Sequence, residues 1–591
     1  MRALTMTTIA GAMMLSAVSV SAQMNPSNEV VIPKNAISIP GEFVIEANDL
    51  SQSELKQLKA DYNLHSASAW SDDHDEIEIG DVPPGHEEEM IEKAMHDPRV
   101  KFVSPQHIFR AEGSWEPNDP LLAKQWHMKR VGAIDSWSYA TGHGSIVSIV
   151  DTGVQQDISD LQGVSFNKGY NFADDNDNTN DGNAHGTHCT GTVANVPNNG
   201  IGGVGLAPAS TILPVKVLSD QGFGTMAGVA EGIRYAADNN ANVISLSLGA
   251  SQPDPLTKEA VEYAQGRGSL VIAAAGNSGD DHPHYPSNYP GVISVGATDQ
   301  NDHLARFSTY GHSTLTAPGV AVVQQVPDGS FQAFNGTSMA CPHAAALASQ
   351  LVSLGLRGEA VKDAMVSNVD DRNDEKHFGA GIINASKTVR SVYWHQLAYR
   401  LGFLLLGAGL IKRRIRTVGG SPRRPGVVAM LLAGTGLLPF IPLVFTLPKL
   451  GSLSILAELG MKPFGMWDLP LLGANFHHWL LLASAIPAVL FALLCYGAKS
   501  LRASIGGFAI GASALLAQLT LQNDGGWSML YRALMLANIG LCLWIARISL
   551  DQKSDTVVDY TAPSPIPSSY TPTATVPEPE QEKDVDPSSL N

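Results

Sequence analysis

Between residues 118 and 390, short runs with apolar residues on both faces alternate with helical patterns. SIVSIV (145–150), NVISLSL (242–248) and SLVIAAA (269–275) are such runs, and GVAEGIRYAADN (228–239) is a helical stretch between two of them. A strand that is mainly apolar on both faces has little to offer to water, so both its sides must be covered. Strands covered on both sides by intervening helices make a largely parallel sheet, which predicts an α/β domain. Ligands of such sheets bind at the carboxyl ends of the strands, so chemistry is expected where these runs stop.

The flanks read differently. Residues 1–22 carry Arg2, an apolar stretch and the small-x-small ending Val20-Ser21-Ala22 of a secretory signal. Residues 25–115 read as a small α/β unit: strands at 41–47, 76–83 and 100–106, helices at 51–62 and 86–97. It holds no nucleophile-and-base pair, so a folding or inhibitory role is expected of it. From 392 to 550 the chain is predominantly apolar, and five spans are expected at roughly 392–411, 427–447, 479–497, 503–521 and 528–547. With the 118–390 domain outside, Lys412, Arg413, Arg414, Arg416, Arg423, Arg424, Lys499, Arg502 and Arg547 fall inside, while only Lys449 and Lys462 fall in outward loops. Residues 551–591, rich in Pro, Ser, Thr and acid, read as an inner disordered tail. A formal charge of −18 disfavours nucleic acid as a partner, and four cysteines are too few for a disulfide scaffold.

Three motifs follow strand ends or open helices. SIVDTG (148–153) ends a strand with Asp151, HGTHCTGTVA (185–194) opens a helix with His185, and GTSMACPHAAALAS (336–349) puts Ser338 at the start of an Ala-rich helix. Each alone has a plain structural reading, since Asp and Ser cap helices and a histidine in HGTH fits a core or a metal site. Together they supply what amide hydrolysis needs. An imidazole takes the proton of an attacking hydroxyl, a carboxylate fixes the imidazole, and helix N–H groups face the oxyanion.

Jointly and in this order the motifs resemble the subtilisin-like serine proteases, the subtilases, over about 118–385. The resemblance implies a subtilisin-like fold with a mainly parallel central sheet, and makes His185 rather than His188 the base. His188 and His343 are then structural. It implies Asn277, in AAAGNSG (273–279), as the oxyanion donor. Substrate is expected to pair as a strand along Ser247, Leu248 and Gly249. Ala274 and Gly276 would form the opposite wall of the pocket, and His284 its base. PNNGIGGVGLAP (197–208) resembles the family's calcium loop, with Asp119, Asp160, Pro197, Asn199, Ile201 and Gly203 as candidate ligands of a structural Ca2+; no catalytic metal is implied. ADDNDNTNDGN (173–183) reads equally as a weaker ion site or a solvated loop. Cys189 and Cys341 are expected to be inert buried thiols.

Residues 25–115 would then be the propeptide, an intramolecular inhibitor removed by self-cleavage near 110–118. The whole reads as a serine endopeptidase tethered to the cytoplasmic membrane. Its catalytic domain would lie on the periplasmic or extracellular side and its tail in the cytoplasm. Its partners are polypeptide substrates, its own propeptide, the bilayer and, because one span suffices for a tether, a membrane protein. A second class stands beside it: a catalytically inactive membrane sensor or transport accessory that binds peptides.

Overall fold

The structure is a computed structural model that describes residues 38–66, 77–83, 86–107, 117–417, 424–436, 439, 459–467, 482–495, 497–498, 500–522 and 529–550. The expected signal peptide, the expected tail and most of the expected self-cleavage segment lie outside these residues.

The N-terminal unit is an antiparallel sheet in the order β2-β3-β1-β4, formed by β1 (Ser38–Ala47), β2 (Leu64–Ser66), β3 (Ile77–Asp81) and β4 (Val100–His107). Helices Gln52–Tyr62 and Glu87–Met95 cover it, and Phe43, Ile45, Leu58, Tyr62, Ile91, Ala94 and Val103 form its core. A capping box sets the first helix: the Ser51 hydroxyl accepts from Glu54 N–H, and the Glu54 carboxylate accepts from Ser51 N–H. Only β2 is absent from the pattern reading, because three residues are too few to show alternation. The unit touches the next domain through Lys124 Nζ and Glu42 Oε1, 2.7 Å apart.

The central sheet has eight strands. Its main path runs β12-β11-β10-β9-β5-β8-β6, and β7 also pairs with β8. These are β5 (Ile146–Asp151), β6 (Ser165–Phe166), β7 (Tyr170–Asn171), β8 (Thr211–Lys216), β9 (Val243–Leu246), β10 (Leu270–Ala274), β11 (Ile293–Thr298) and β12 (Leu315–Pro318), and every pairing is parallel. The expected two-sided burial is visible residue by residue. Val147 and Ile149 of β5 point into one core with helices His185–Ala194 and Thr337–Ser353, whereas Ile146 and Val150 point into the other with Met226–Asp238 and Pro255–Gly266.

Helix Ala385–Thr417 leaves this domain as one continuous rod. Val389, Val392, Tyr393 and Leu397 belong to the core of the Ser338 helix, so the stretch expected to begin a span at 392 begins packed in the α/β domain instead. Protein core and hydrocarbon select the same apolar residues, and composition alone does not separate them. Among the described residues, two helices are long and apolar enough to cross a bilayer, Arg502–Gln522 and Arg532–Leu550, while Arg424–Gly434 and Ile486–Cys495 are shorter. Backbones approach closely where glycines meet: a Cβ placed on Gly507 would lie 1.9 Å from the Gly426 carbonyl oxygen.

Candidate active site

β5 lies between β8 and β9. The chain fills β6 to β8 on one side of it and β9 to β12 on the other, so its carboxyl end faces the crevice where strand order reverses. Asp151, 1% exposed, is its last residue. His185 opens the helix that crosses this crevice, and its Nδ1 lies 2.7 Å from Asp151 Oδ1, which also accepts from Thr152 N–H at 2.7 Å. A carboxylate has no proton to give, so Nδ1 is the protonated nitrogen and Nε2 keeps its lone pair. Burial opposes the imidazolium, but the charge and hydrogen bond of Asp151, helped by the charge of Asp181, outweigh it and raise the His185 pKa above its ordinary value.

Ser338 is the second residue of helix Thr337–Ser353, where backbone N–H groups have no partner within the helix. Pro342, inside that helix, lacks the N–H that would have bonded the Ser338 carbonyl. The freed oxygen accepts from Ser247 Oγ at 2.8 Å and from Cys189 Sγ at 3.4 Å. The Ser338 hydroxyl in turn donates to the Ser247 carbonyl at 3.2 Å. In this conformation it therefore points at the strand end, and no Ser338–His185 hydrogen bond occurs among the described residues. Cys189 shows how near the groups are: its Sγ, an Asp151 oxygen and a His185 nitrogen all lie within 4.8 Å of one another. The hydroxyl is half-buried, and base–nucleophile contacts commonly tighten only when substrate binds.

Asn277 follows β10 with its amide already oriented. Oδ1 accepts from Thr337 N–H and Thr337 Oγ1, both at 2.9 Å, which leaves the Nδ2 hydrogens on the open side without a partner among the described residues. The other expected residues also gather here. Ala250 and Tyr285 exchange backbone hydrogen bonds of 2.8 and 2.9 Å, which ties the 247–250 segment to the 284–285 segment. The His284 ring lies against Gly276, where an added Cβ would come within 2.6 Å of it. His188 and His343 are buried and hydrogen-bonded to the backbone, and both are held neutral, pushed down to about 3 and about 4 by burial. Cys189 and Cys341 are free, buried thiols, and burial raises both pKa values, Cys341 to about 11.

At the calcium loop, Asp119 and Asp160 are both fully buried, and Asp160 Oδ1 has no hydrogen-bond partner. Burial and the neighbouring Asp119 charge push the Asp160 carboxyl up to about 7. Two enclosed carboxylates, one with an orphaned oxygen, fit a cation of the Ca2+ kind. Asn199 lies near enough to help lower the Asp160 carboxyl, whereas Gly203 meets Asp160 through its N–H at 3.0 Å. The 173–183 run behaves as a loop. Asn171 accepts from Ala173 N–H, Asn176 from Asn178 N–H and Asn178 from Asn180 N–H, so those oxygens are engaged with their own backbone.

Sequence reading passed over Thr152, Lys216 and Asp181. Lys216 Nζ, 3% exposed, donates to the Thr152 carbonyl and to Asp220 Oδ1. A lysine closing a fully apolar strand was the available signal, because such a charge is buried only when it is paired.

The chain matches the subtilase family over residues 142–381. It is 42% identical to thermitase of Thermoactinomyces vulgaris over 279 residues, which is 47% of this chain and all of that protein. It is 33% identical to M-protease of Shouchella clausii over 388 residues, covering 63% of this chain and 93% of that protein. A solved protease structure from Pseudoalteromonas arctica shares 28% identity over 46% of this chain and 99% of that one, with a TM-score of 0.44. The chain belongs to the subtilase family. It is a subtilisin-like serine protease, a hydrolase of peptide bonds.

Proposed function

We propose that this protein is a membrane-tethered serine endopeptidase that cuts polypeptides through an acyl-enzyme on Ser338. The observation that carries the reading is the 2.7 Å contact of His185 Nδ1 with Asp151, which leaves Nε2 available as a base beside the Ser338 helix. As Ser338 Oγ attacks the substrate carbonyl, its proton passes to His185 Nε2, and Asp151 stabilises the imidazolium so formed. The oxyanion is met by Asn277 Nδ2 and the Ser338 N–H. His185 then protonates the leaving amine. Water, deprotonated by the same nitrogen, releases the acyl group and restores the hydroxyl. Substrate lies along Ser247 to Gly249, with its leading side chain between that segment and Ala274–Gly276, over His284.

In this reading residues 25–115 are the propeptide and 118–390 the catalytic domain. The 33-residue helix from Ala385 leads into the membrane domain, which ends near 550. The length of the M-protease alignment, well beyond residues 142–381, favours a family-type N-terminal unit. Asp119, Asp160 and Asn199, with backbone oxygens of Pro197, Ile201 and Gly203, would hold Ca2+, whose positive charge would offset two buried carboxylates. The catalytic domain faces the periplasm or exterior, with the Lys- and Arg-rich segments and the tail inside.

A fluorophosphonate probe tests the reading. Labelling of the wild-type protein, absent in Ser338→Ala, together with a mature N-terminus near 110–118 that appears only in the wild type, is the expected result. No labelling after the N-terminal unit has been removed would favour a peptide-binding protein without catalysis.

A further inference from the structure

Helix His185–Ala194 begins in an unusual way. Its N-cap residue is Ala184, in the left-handed region at φ 90°, and it has no side chain able to cap. The orphan N–H groups of the first turn are satisfied from elsewhere. Gly186 N–H donates to Thr152 Oγ1 at 2.9 Å, and Thr187 N–H donates to Asp181 Oδ2 at 2.9 Å. The two acceptors are themselves joined, because Thr152 Oγ1 donates to Asp181 Oδ1 at 2.8 Å. Asp181 further accepts from Asn183 N–H at 2.9 Å, from Ala184 N–H at 3.0 Å and from the Thr187 hydroxyl at 2.6 Å. Five donors thus converge on one carboxylate that is 3% exposed.

The sequence position of each partner gives this knot its meaning. Thr152 follows Asp151, and its N–H binds the same carboxylate oxygen that His185 binds. Ala184 precedes His185, and Gly186 and Thr187 follow it. One carboxylate therefore joins the strand end carrying Asp151 to the helix start carrying His185. We propose that Asp181 is a positioning residue of the catalytic site, a clamp that fixes the imidazole of His185 relative to Asp151 and to the Ser338 helix. The proposal rests on the triad reading above. The charge of Asp181 adds a second effect, favouring the imidazolium that forms during attack. The other groups facing His185 are Asp151 from β5, His188 and Cys189 from its own helix and the Ser338 helix across the crevice. Of these only Asp151 adds negative charge; His188 is neutral and Cys189 is held as the thiol.

The test uses the full chain in detergent, a fluorogenic peptide, and rates normalised to sites titrated by prolonged fluorophosphonate labelling. Asp181→Ala should lower kcat by about 10²-fold with little change in KM, the scale expected when a reacting group is displaced by about 1 Å. Asp181→Asn keeps one acceptor oxygen and should recover part of that loss. Its acid limb of kcat/KM should lie at lower pH than in the wild type, because a charge that raises the His185 pKa has gone. Thr152→Val cuts only the link to the strand. It should lower kcat in the same direction, and combined with Asp181→Asn it should cost less than the two losses multiplied. Wild-type kcat per titrated site with an unmoved acid limb in all three variants, whatever their melting temperatures, would overturn the proposal. Should an Asp181 variant fail to fold, Thr152→Val decides in the same way. His185→Ala and Ser338→Ala serve as separate controls: hydrolysis surviving in either would sink the triad itself, a failure distinct from that of the clamp.

Discussion

His185 and His188 lie three residues apart on one helix and meet opposite fates. His185 reaches the crevice, pairs with Asp151 and has its pKa raised. His188 turns inward, donates from Nε2 to the Val322 carbonyl at 2.8 Å, stacks on Phe334 with ring centroids 4.4 Å apart, and is held neutral. Beyond it, His127 Nδ1 and His343 Nε2 are 2.9 Å apart in full burial, with His343 Nδ1 on the Met339 carbonyl. Four buried or half-buried imidazoles thus share one neighbourhood, and a carboxylate beside only one of them separates the proposed base from the core. The same residue type is chemistry or packing according to whether its charged form has a partner.

The largest effect that could break this contrast is loss of the nucleophile. Ser338→Ala should reduce kcat by about 10⁶-fold, the size known for the corresponding change in subtilisin, and His185→Ala should match it because the two act as a unit. His188→Phe should leave turnover per folded molecule near the wild type. A steady-state assay on the purified protein decides, and comparable losses at 185 and 188 would erase the distinction. Next comes Asn277→Ala, which removes the outward Nδ2 hydrogens held in place by Thr337. A loss of about 10²–10³ in kcat with KM little changed is expected, again the magnitude known from subtilisin.

Much of this was legible in the sequence. Buried strands announce themselves by apolar runs, and Asp151, His185, Ser338 and Asn277 each sit where a run ends or a helix opens. What stayed hidden is relational. Asp181 looks like one more acid in a polar loop until its five donors are seen. Pro342 looks like a flaw in a helix until the carbonyl it frees is found in the grip of Ser247 and Cys189. The apolar residues at 392–397 read as part of a membrane span because hydrophobicity carries no label for what it will be buried against.

Calcium removal probes a different pair of buried charges. Asp119 and Asp160 are both buried and Asp160 Oδ1 has no hydrogen-bond partner, so a chelator should lower the melting temperature and speed self-digestion, with Ca2+ restoring both. Because the Asp160 carboxyl is pushed up to about 7, a proton competes with the ion, and calcium affinity should fall as pH drops below that value. Titration by calorimetry at two pH values measures it, and a chelator without effect would remove the ion from the account.

The pH profile sharpens the comparison further. The base must be neutral to act, and the His185 pKa is raised, so kcat/KM should fall about tenfold per pH unit below a limb lying above the usual histidine range of about 6.5. His127, His188 and His343 are neutral throughout this window and should contribute nothing to the limb.

The smallest effect on activity, and the most discriminating, is expected at His343. Replacing it with Phe strands the Nδ1–H of His127 in a dry core. The cost should be about 1–3 kcal/mol of stability, read from denaturant midpoints. Because His343 has no proton to gain near neutrality, the acid limb should stay where it is. A limb that moves with His343→Phe would mean that charge is shared along the imidazole chain, and that base and core are one system rather than two.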